Sequence, residues 1–212
     1  MVLMKAMQVN NAGHEPRLTL VELPRPEPGV GEILIRVLAA GVTPTELLWY
    51  PTTHTKSGAA RTGAVPGHEF SGAVAAIGKD VQGFEIGDEV YGMNDWFADG
   101  ATAEFCITMP QNIAGKPTTL SHEAAASVPL GALTSWQGLI DRARLKPGEC
   151  VLIHGGAGAA GLYALQLAHI RGARVITTVS AQDITIAADS EGAADRRVKD
   201  AFFIASNRIK SS

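Results

Sequence analysis

The sequence predicts an α/β chain in two parts, a mostly-β amino-terminal module followed by the opening of a parallel strand–helix–strand unit, and two observations carry that prediction. Up to about residue 120, short apolar runs alternate with Gly- and Pro-rich punctuation, as strands joined by tight turns require. Beyond it, the apolar run Cys150-Val151-Leu152-Ile153-His154 enters a glycine-rich bend and then a helical pattern.

In the first part, Lys5 to Val9, Leu18 to Glu22 and Glu32 to Ala40 read as strands, separated by Asn11-Ala12-Gly13-His14 and by Pro24-Arg25-Pro26-Glu27-Pro28-Gly29. Gly72 to Gly78 is another strand. The Gly87-Asp88 pair reads as a turn delivering the chain into Glu89-Val90-Tyr91, and Ala101 to Ile107 alternates well enough to be its neighbour. Near residue 121 the character changes: Ser121 caps a run, His122-Glu123-Ala124-Ala125-Ala126, with an acid in its first turn and good helix formers after it. Pro129 is expected to interrupt or re-aim that helix, and a further helix is expected from Thr134. The boundary between the parts is placed at about residue 120, giving domains 1–120 and 121–212.

A 46% hydrophobic content in 212 residues is enough for one sizeable core or two modest ones, which argues against wholesale disorder. The formal charge of -3 gives no electrostatic reason to expect nucleic acid or another polyanion, although a small anion held locally stays open. No run approaches the ~18 apolar residues of a membrane helix, and Met1-Val2-Leu3-Met4-Lys5 lacks the order of a secretion signal. A soluble cytoplasmic protein without a membrane partner is therefore expected. Cys106 and Cys150 are far apart and belong to no Cys-x-x-Cys pair, so both are expected to be inert packing residues.

The bend after His154 reads Gly155-Gly156-Ala157-Gly158-Ala159-Ala160-Gly161. Its spacing Gly156-x-Gly158-x-x-Gly161 meets the demands of a dinucleotide site: Gly156 for a tight turn, Gly158 for close approach of backbone amides to a pyrophosphate, Gly161 for close packing of helix on strand. The helix Leu162 to Arg171, stopped by Gly172, and the strand Ala173 to Val179 complete the series. The competing reading is a tight structural turn with no ligand. No acid follows that second strand directly; Ser180 stands there and Asp183 comes later. A small neutral Ser180 leaves space for a 2′-phosphate, with Arg174 or Lys199 as candidates to neutralise it, so the reading favours NADP over NAD.

Val65-Pro66-Gly67-His68-Glu69-Phe70-Ser71-Gly72, the Gly87-Asp88-Glu89-Val90 turn, the segment Ala124 to Trp136 and the glycine-rich bend occur in one order, and in that order the chain resembles the medium-chain dehydrogenase/reductase superfamily. Over about residues 5 to 195 it is most similar to the zinc-independent quinone oxidoreductase branch. The resemblance implies an α/β protein with a GroES-like mostly-β domain and a shortened Rossmann-like dinucleotide-binding domain. It also implies NADPH-dependent hydride transfer to a small apolar quinone, carbonyl or alkene. Zinc-dependent members carry a cysteine ligand where Thr43 stands, and a third ligand where Gly131 or Ala132 stands; His68 and Glu69 alone do not make a zinc site, so no metal is expected.

The same resemblance places Thr43 and Glu46 beside the nicotinamide and Thr134 in the helix behind it. His68 either lines the substrate site or holds loops together. Trp49 and Tyr50 either stack on an apolar ring, with the Tyr50 hydroxyl donating to a developing oxyanion, or pack their loop. Family members are longer, so a replacement strand is expected in Val198 to Ile204, pairing with the second strand or with another subunit. Three accounts stay open: an active small reductase, with a homodimer as one way to complete it; a catalytically weak or inactive truncated paralogue that binds nucleotide or a protein partner; and a fragment of a longer product.

Overall fold

The computed structural model describes residues 1–10, 16–43, 45–180 and 182–183, together with the backbone of Phe202–Ala205. The turn expected at Asn11 to His14, as well as Lys199, lies outside the described residues. The chain divides into two compact units, Met1–Pro129 and Leu130–Ser212.

In the first unit β1 (Leu3–Asn10) and β2 (Arg17–Pro24) form an antiparallel pair. A five-stranded antiparallel sheet is built from β3 (Ile33–Ala40), β4 (Glu69–Ile77), β5 (Glu89–Met93), β6 (Phe105–Thr108) and β7 (Ile113–Gly115), in the order β6-β3-β4-β5-β7. Between β3 and β4 the chain makes a 3-10 turn at Glu46–Leu48 and a short helix α1 (Tyr50–Thr53). The consecutive burial of Ile33, Leu34 and Ile35 shows that the start of β3 is covered on both faces, which is why the sequence there is an apolar run and not an alternation. Ile33 and Ile35 join Phe70, Val74, Val90, Ala101 and Cys106 in the core, while Leu34 is buried on the other face.

The Gly87-Asp88 turn forms as the sequence predicts. Gly87 has φ +99°, its amide donates to Val74 O, and the Asp88 carboxylate accepts from the Glu85 amide at 2.8 Å. β7 has only three residues, too few to show an alternation.

Ser121 caps α2 (His122–Ala126), its Oγ accepting from the Ala124 amide at 3.2 Å. The helix packs on β3, β4 and β5, so it belongs with the first unit, and the division falls after Pro129. His122 fastens it: Nδ1 lies 2.8 Å from Ser71 Oγ and Nε2 lies 3.3 Å from Glu89 Oε1. Lys116, then His122, hold the Glu89 carboxyl below the ordinary carboxylate range. Ser71, His122 and Glu89 have the composition of a catalytic triad but not its chemistry. Ser71 is fully buried and its hydroxyl donates to Val90 O at 3.0 Å, so it accepts from the imidazole and presents no nucleophile.

Pro129 opens a new helix, α3 (Pro129–Trp136), where a fixed φ and a missing amide hydrogen cost nothing. Thr134 thus lies inside that helix and does not begin one. The second unit then runs β8 (Cys150–His154), α4 (Ala159–Ile170), β9 (Arg174–Val179) and β10 (Phe202–Ala205). Its sheet is parallel, in the order β10-β9-β8, so the expected replacement strand does pair with the second strand. One face of α4 presents Ala164, Leu165 and Ala168 to Ile153, Val175 and Val179.

The two cysteines differ. Cys106 is buried in the first core, and burial pushes its thiol up to about 12 from 9.0. Cys150 is exposed on β8, so the packing role expected for both holds only for Cys106. Maleimide labelling of the native chain is expected to modify Cys150 alone, and Cys106 only after unfolding; equal labelling of both in the native state would contradict this placement. Because burial favours the neutral Cys106 thiol, its contribution to stability is complete below pH 9 and fades as pH rises toward 12.

Candidate functional site

The second unit builds its site from backbone. After His154 the amides of Gly155 and Gly156 both donate to Thr178 O, at 3.0 and 3.1 Å, which hooks the bend to the end of β9. Gly155 carries the positive φ of +72°, so it and not Gly156 makes the left-handed step. Gly156 must be glycine for a different reason: an added Cβ would overlap Thr177 Oγ1, which is fully buried and donates to Ile153 O at 2.8 Å. Gly161 is constrained by backbone, since a Cβ there would overlap Gly155 O and lie 2.8 Å from Gly156 Cα.

Gly158 is unlike them. Among the described residues a Cβ built on it would meet only Gly155 O, at 3.2 Å, with open space beyond. It is the N-cap of α4, in extended conformation and without a side-chain cap. The amides of Ala159, Ala160 and Gly161 follow it, and first-turn amides have no acceptor within their own helix. The result is a row of donors at the positive end of a helix beside a space that only glycine leaves open, and a diphosphate fits it.

The remaining residues expected in this site divide. Ala157 is half-buried and packs against the second core, and Ala159 is exposed at the start of α4. Ala160 O accepts from Ser135 Oγ at 2.6 Å, which ties α3 to the bend. Thr134 is exposed, but its hydroxyl donates to Leu130 O at 2.7 Å within its own helix. Ser180 Oγ donates to Asp183 Oδ2 at 2.5 Å, and the Asp183 amide donates to Ser180 O. The late acid therefore folds back to the end of β9, and Ser180 is not the isolated neutral group its place in the sequence suggested.

In the first unit the structure brings His68 to Glu46. Glu46 Oε1 accepts from the Gly67 amide at 2.7 Å and lies 2.5 Å from His68 Nδ1, while His68 Nε2 lies 3.1 Å from Trp96 O. Thr43 is half-buried, and its carbonyl accepts from the Glu46 amide. Tyr50, 55% exposed, stacks on His54 with ring centroids 4.5 Å apart and meets the edge of Phe97. Trp49 packs against both His68 and Trp96, 5.7 Å from each, while those two rings lie 4.7 Å apart. Of the two readings of Trp49, the structure shows loop packing. Trp96, Phe97 and His54 carry no motif that would have singled them out.

A zinc ion does not fit these donors. Thr43 has no thiolate, His68 Nε2 faces a carbonyl oxygen, and among the described residues no three His, Cys, Asp or Glu side chains converge.

The model of the alcohol dehydrogenase GroES-like domain matches residues 29–160. Quinone oxidoreductase of Mus musculus is 32% identical over 186 residues, which cover 85% of this chain and 54% of that protein. The quinone oxidoreductase structure from Coxiella burnetii superposes with a TM-score of 0.77 at 35% identity, covering 88% of this chain and 59% of that one. A mycobacterial protein solved in complex with NADPH gives 0.78 at 32% identity, covering 97% and 58%. The chain spans about half the length of the curated quinone oxidoreductases it matches, and among its described residues no helix is long and apolar enough to cross a membrane. On the domain match and these relatives together, the chain belongs to the medium-chain dehydrogenase/reductase superfamily, in its quinone-oxidoreductase-like branch.

Proposed function

We propose that the chain is a nicotinamide-dependent oxidoreductase that reduces a small quinone or another activated carbonyl or alkene, without a metal. The observation that carries this reading is the row of first-turn amides beside the open position of Gly158. Gly156, Ala157, Gly158, Ala159, Ala160 and Gly161 form the cradle for the diphosphate. When bound, the reduced dinucleotide supplies the hydride, and the protein supplies orientation and exclusion of water. Thr43 and Tyr50 offer hydroxyls for an acceptor oxygen on which negative charge develops, and the rings of Trp49, Trp96 and Phe97 give their surroundings an apolar character. NADPH is the dinucleotide in the complex of the similar mycobacterial protein, which supports NADPH, whereas the Asp183 carboxylate beside Ser180 opposes a 2′-phosphate.

The test is oxidation of NADPH and NADH by the purified chain in the presence of a benzoquinone, an enal and an enone. Acceptor-dependent loss of the reduced nicotinamide, faster with NADPH, is expected. A rise in melting temperature with dinucleotide but no consumption with any acceptor would replace this reading by nucleotide binding without turnover.

A further inference from the structure

We infer that Glu46 and His68 form a closed charge pair whose work is to hold three loops of the first unit in register, and that His68 donates no proton to an acceptor. The proton positions follow from the partners. Trp96 O is a carbonyl and can only accept, so His68 Nε2 carries a hydrogen. Glu46 Oε1 also accepts from the Gly67 amide at 2.7 Å, as a carboxylate does, and because a carboxylic acid is ordinarily a stronger acid than an imidazolium the hydrogen between that oxygen and Nδ1 is the imidazole's. Both ring nitrogens are donors, and the ring is an imidazolium facing a carboxylate.

The surroundings suit a cation that stays in place. The side chains of His68 and Glu46 are 7% and 6% exposed, so water does not replace their bonds. The imidazole ring lies 4.7 Å from the Trp96 ring and 5.7 Å from the Trp49 ring, and those two rings lie 5.7 Å from one another. A positive ring against two indoles adds attraction from their π faces.

The pair joins segments that share no strand. Through its backbone Glu46 holds Thr43 O, the Trp49 amide and the Thr52 hydroxyl; through its side chain it holds the turn Gly67-His68. Through Nε2, His68 holds the loop after β5 that carries Trp96 and Phe97. The loops bearing Thr43, Tyr50 and the aromatic rings thus meet at one buried bond pair. Serving as a proton donor would require Nε2 to abandon Trp96 O and would free the Trp96 segment from the ring, leaving the loop held at its ends by Asn94 N on His68 O and Gly100 N on Val65 O. His68 is therefore a positioning residue, and the kinetic part of this inference rests on the proposed function.

Nitrogen-15 NMR of the wild-type chain tests the pair without substrate. Two proton-bearing ring nitrogens at His68 are expected, and one bare nitrogen would overturn the inference. Glu46→Gln and His68→Gln are each expected to raise the acceptor KM about tenfold through misplaced loops, with the dinucleotide Kd unchanged. The double variant, in which two neutral amides can pair again, is expected to be no worse than the poorer single one. A fall in kcat with an unchanged KM would mark His68 as a proton donor and overturn the assignment. If the wild type reduces no acceptor, the functional reading fails on its own. The tryptophan fluorescence of Glu46→Gln then decides the positioning claim, a shifted spectrum supporting it and an unchanged one overturning it.

Discussion

Phe70→Ala is expected to lower the unfolding free energy of the first unit by about 3–5 kcal/mol, the cost of a large aromatic removed from a core that cannot collapse around the gap. Phe70 is fully buried on β4, with Ala40 of β3 beside it on one side and Gly92 of β5 on the other. Neither neighbour has a side chain long enough to swing into the space. Gly92 cannot be enlarged to refill it, because a Cβ there would overlap Asn112 O. Urea unfolding followed through Trp49 and Trp96 measures the effect. Leu20→Ala on the 63% exposed position of β2 is the control, expected within about 0.5 kcal/mol of wild type. A loss below about 1 kcal/mol at Phe70 would contradict the packing described.

Gly161→Ala is expected to destabilise the second unit by about 3 kcal/mol, the upper range for overpacking, because the added methyl meets main-chain atoms and no flexible side-chain tip. The obstructing atoms, Gly155 O and Gly156 Cα, belong to the bend itself. To admit the methyl, α4 must move off β8 or the bend must unhook from Thr178 O, and either change misaligns the first-turn amides. Dinucleotide binding should therefore be lost together with stability. Gly158 separates the two effects: Gly158→Ala has only one close contact to relieve, so it is expected to fold and yet bind dinucleotide poorly. If Gly161→Ala melted like wild type, the close approach of α4 to the bend would be wrong.

What was legible in the sequence depended on how local its cause was. The strands of the first unit and the turn at Gly87 follow from residues next to one another and form close to where they were read, but one pairing does not: the strand expected beside Glu89-Val90-Tyr91 from Ala101 to Ile107 is β6, which pairs with β3, and β7 takes the place beside β5. The glycine-rich bend was legible because the demands of a diphosphate site fall on backbone and spacing. The roles within it were not, since a sequence shows which residues are glycine but not which one takes φ +72°. The expected pairing of the carboxyl-terminal strand with β9 forms over Phe202–Ala205.

Long-range partners were the least legible. His68 was singled out by its motif, yet its two hydrogen-bond partners lie 22 and 28 positions away, in a short 3-10 turn and a loop, where no periodicity links them. Cys150 begins an apolar run and reads as a core residue; its exposure on β8 is set by tertiary placement. Asp183 looked too late to matter until the chain turned back on Ser180.

Calorimetric titration of the wild-type chain with NADPH and with NADH, repeated on Gly158→Ala, tests the amide cradle most directly. Saturable one-to-one binding of at least one dinucleotide, weakened at least tenfold by the single methyl, is the predicted result. Wild-type heats indistinguishable from dilution for both dinucleotides would contradict it.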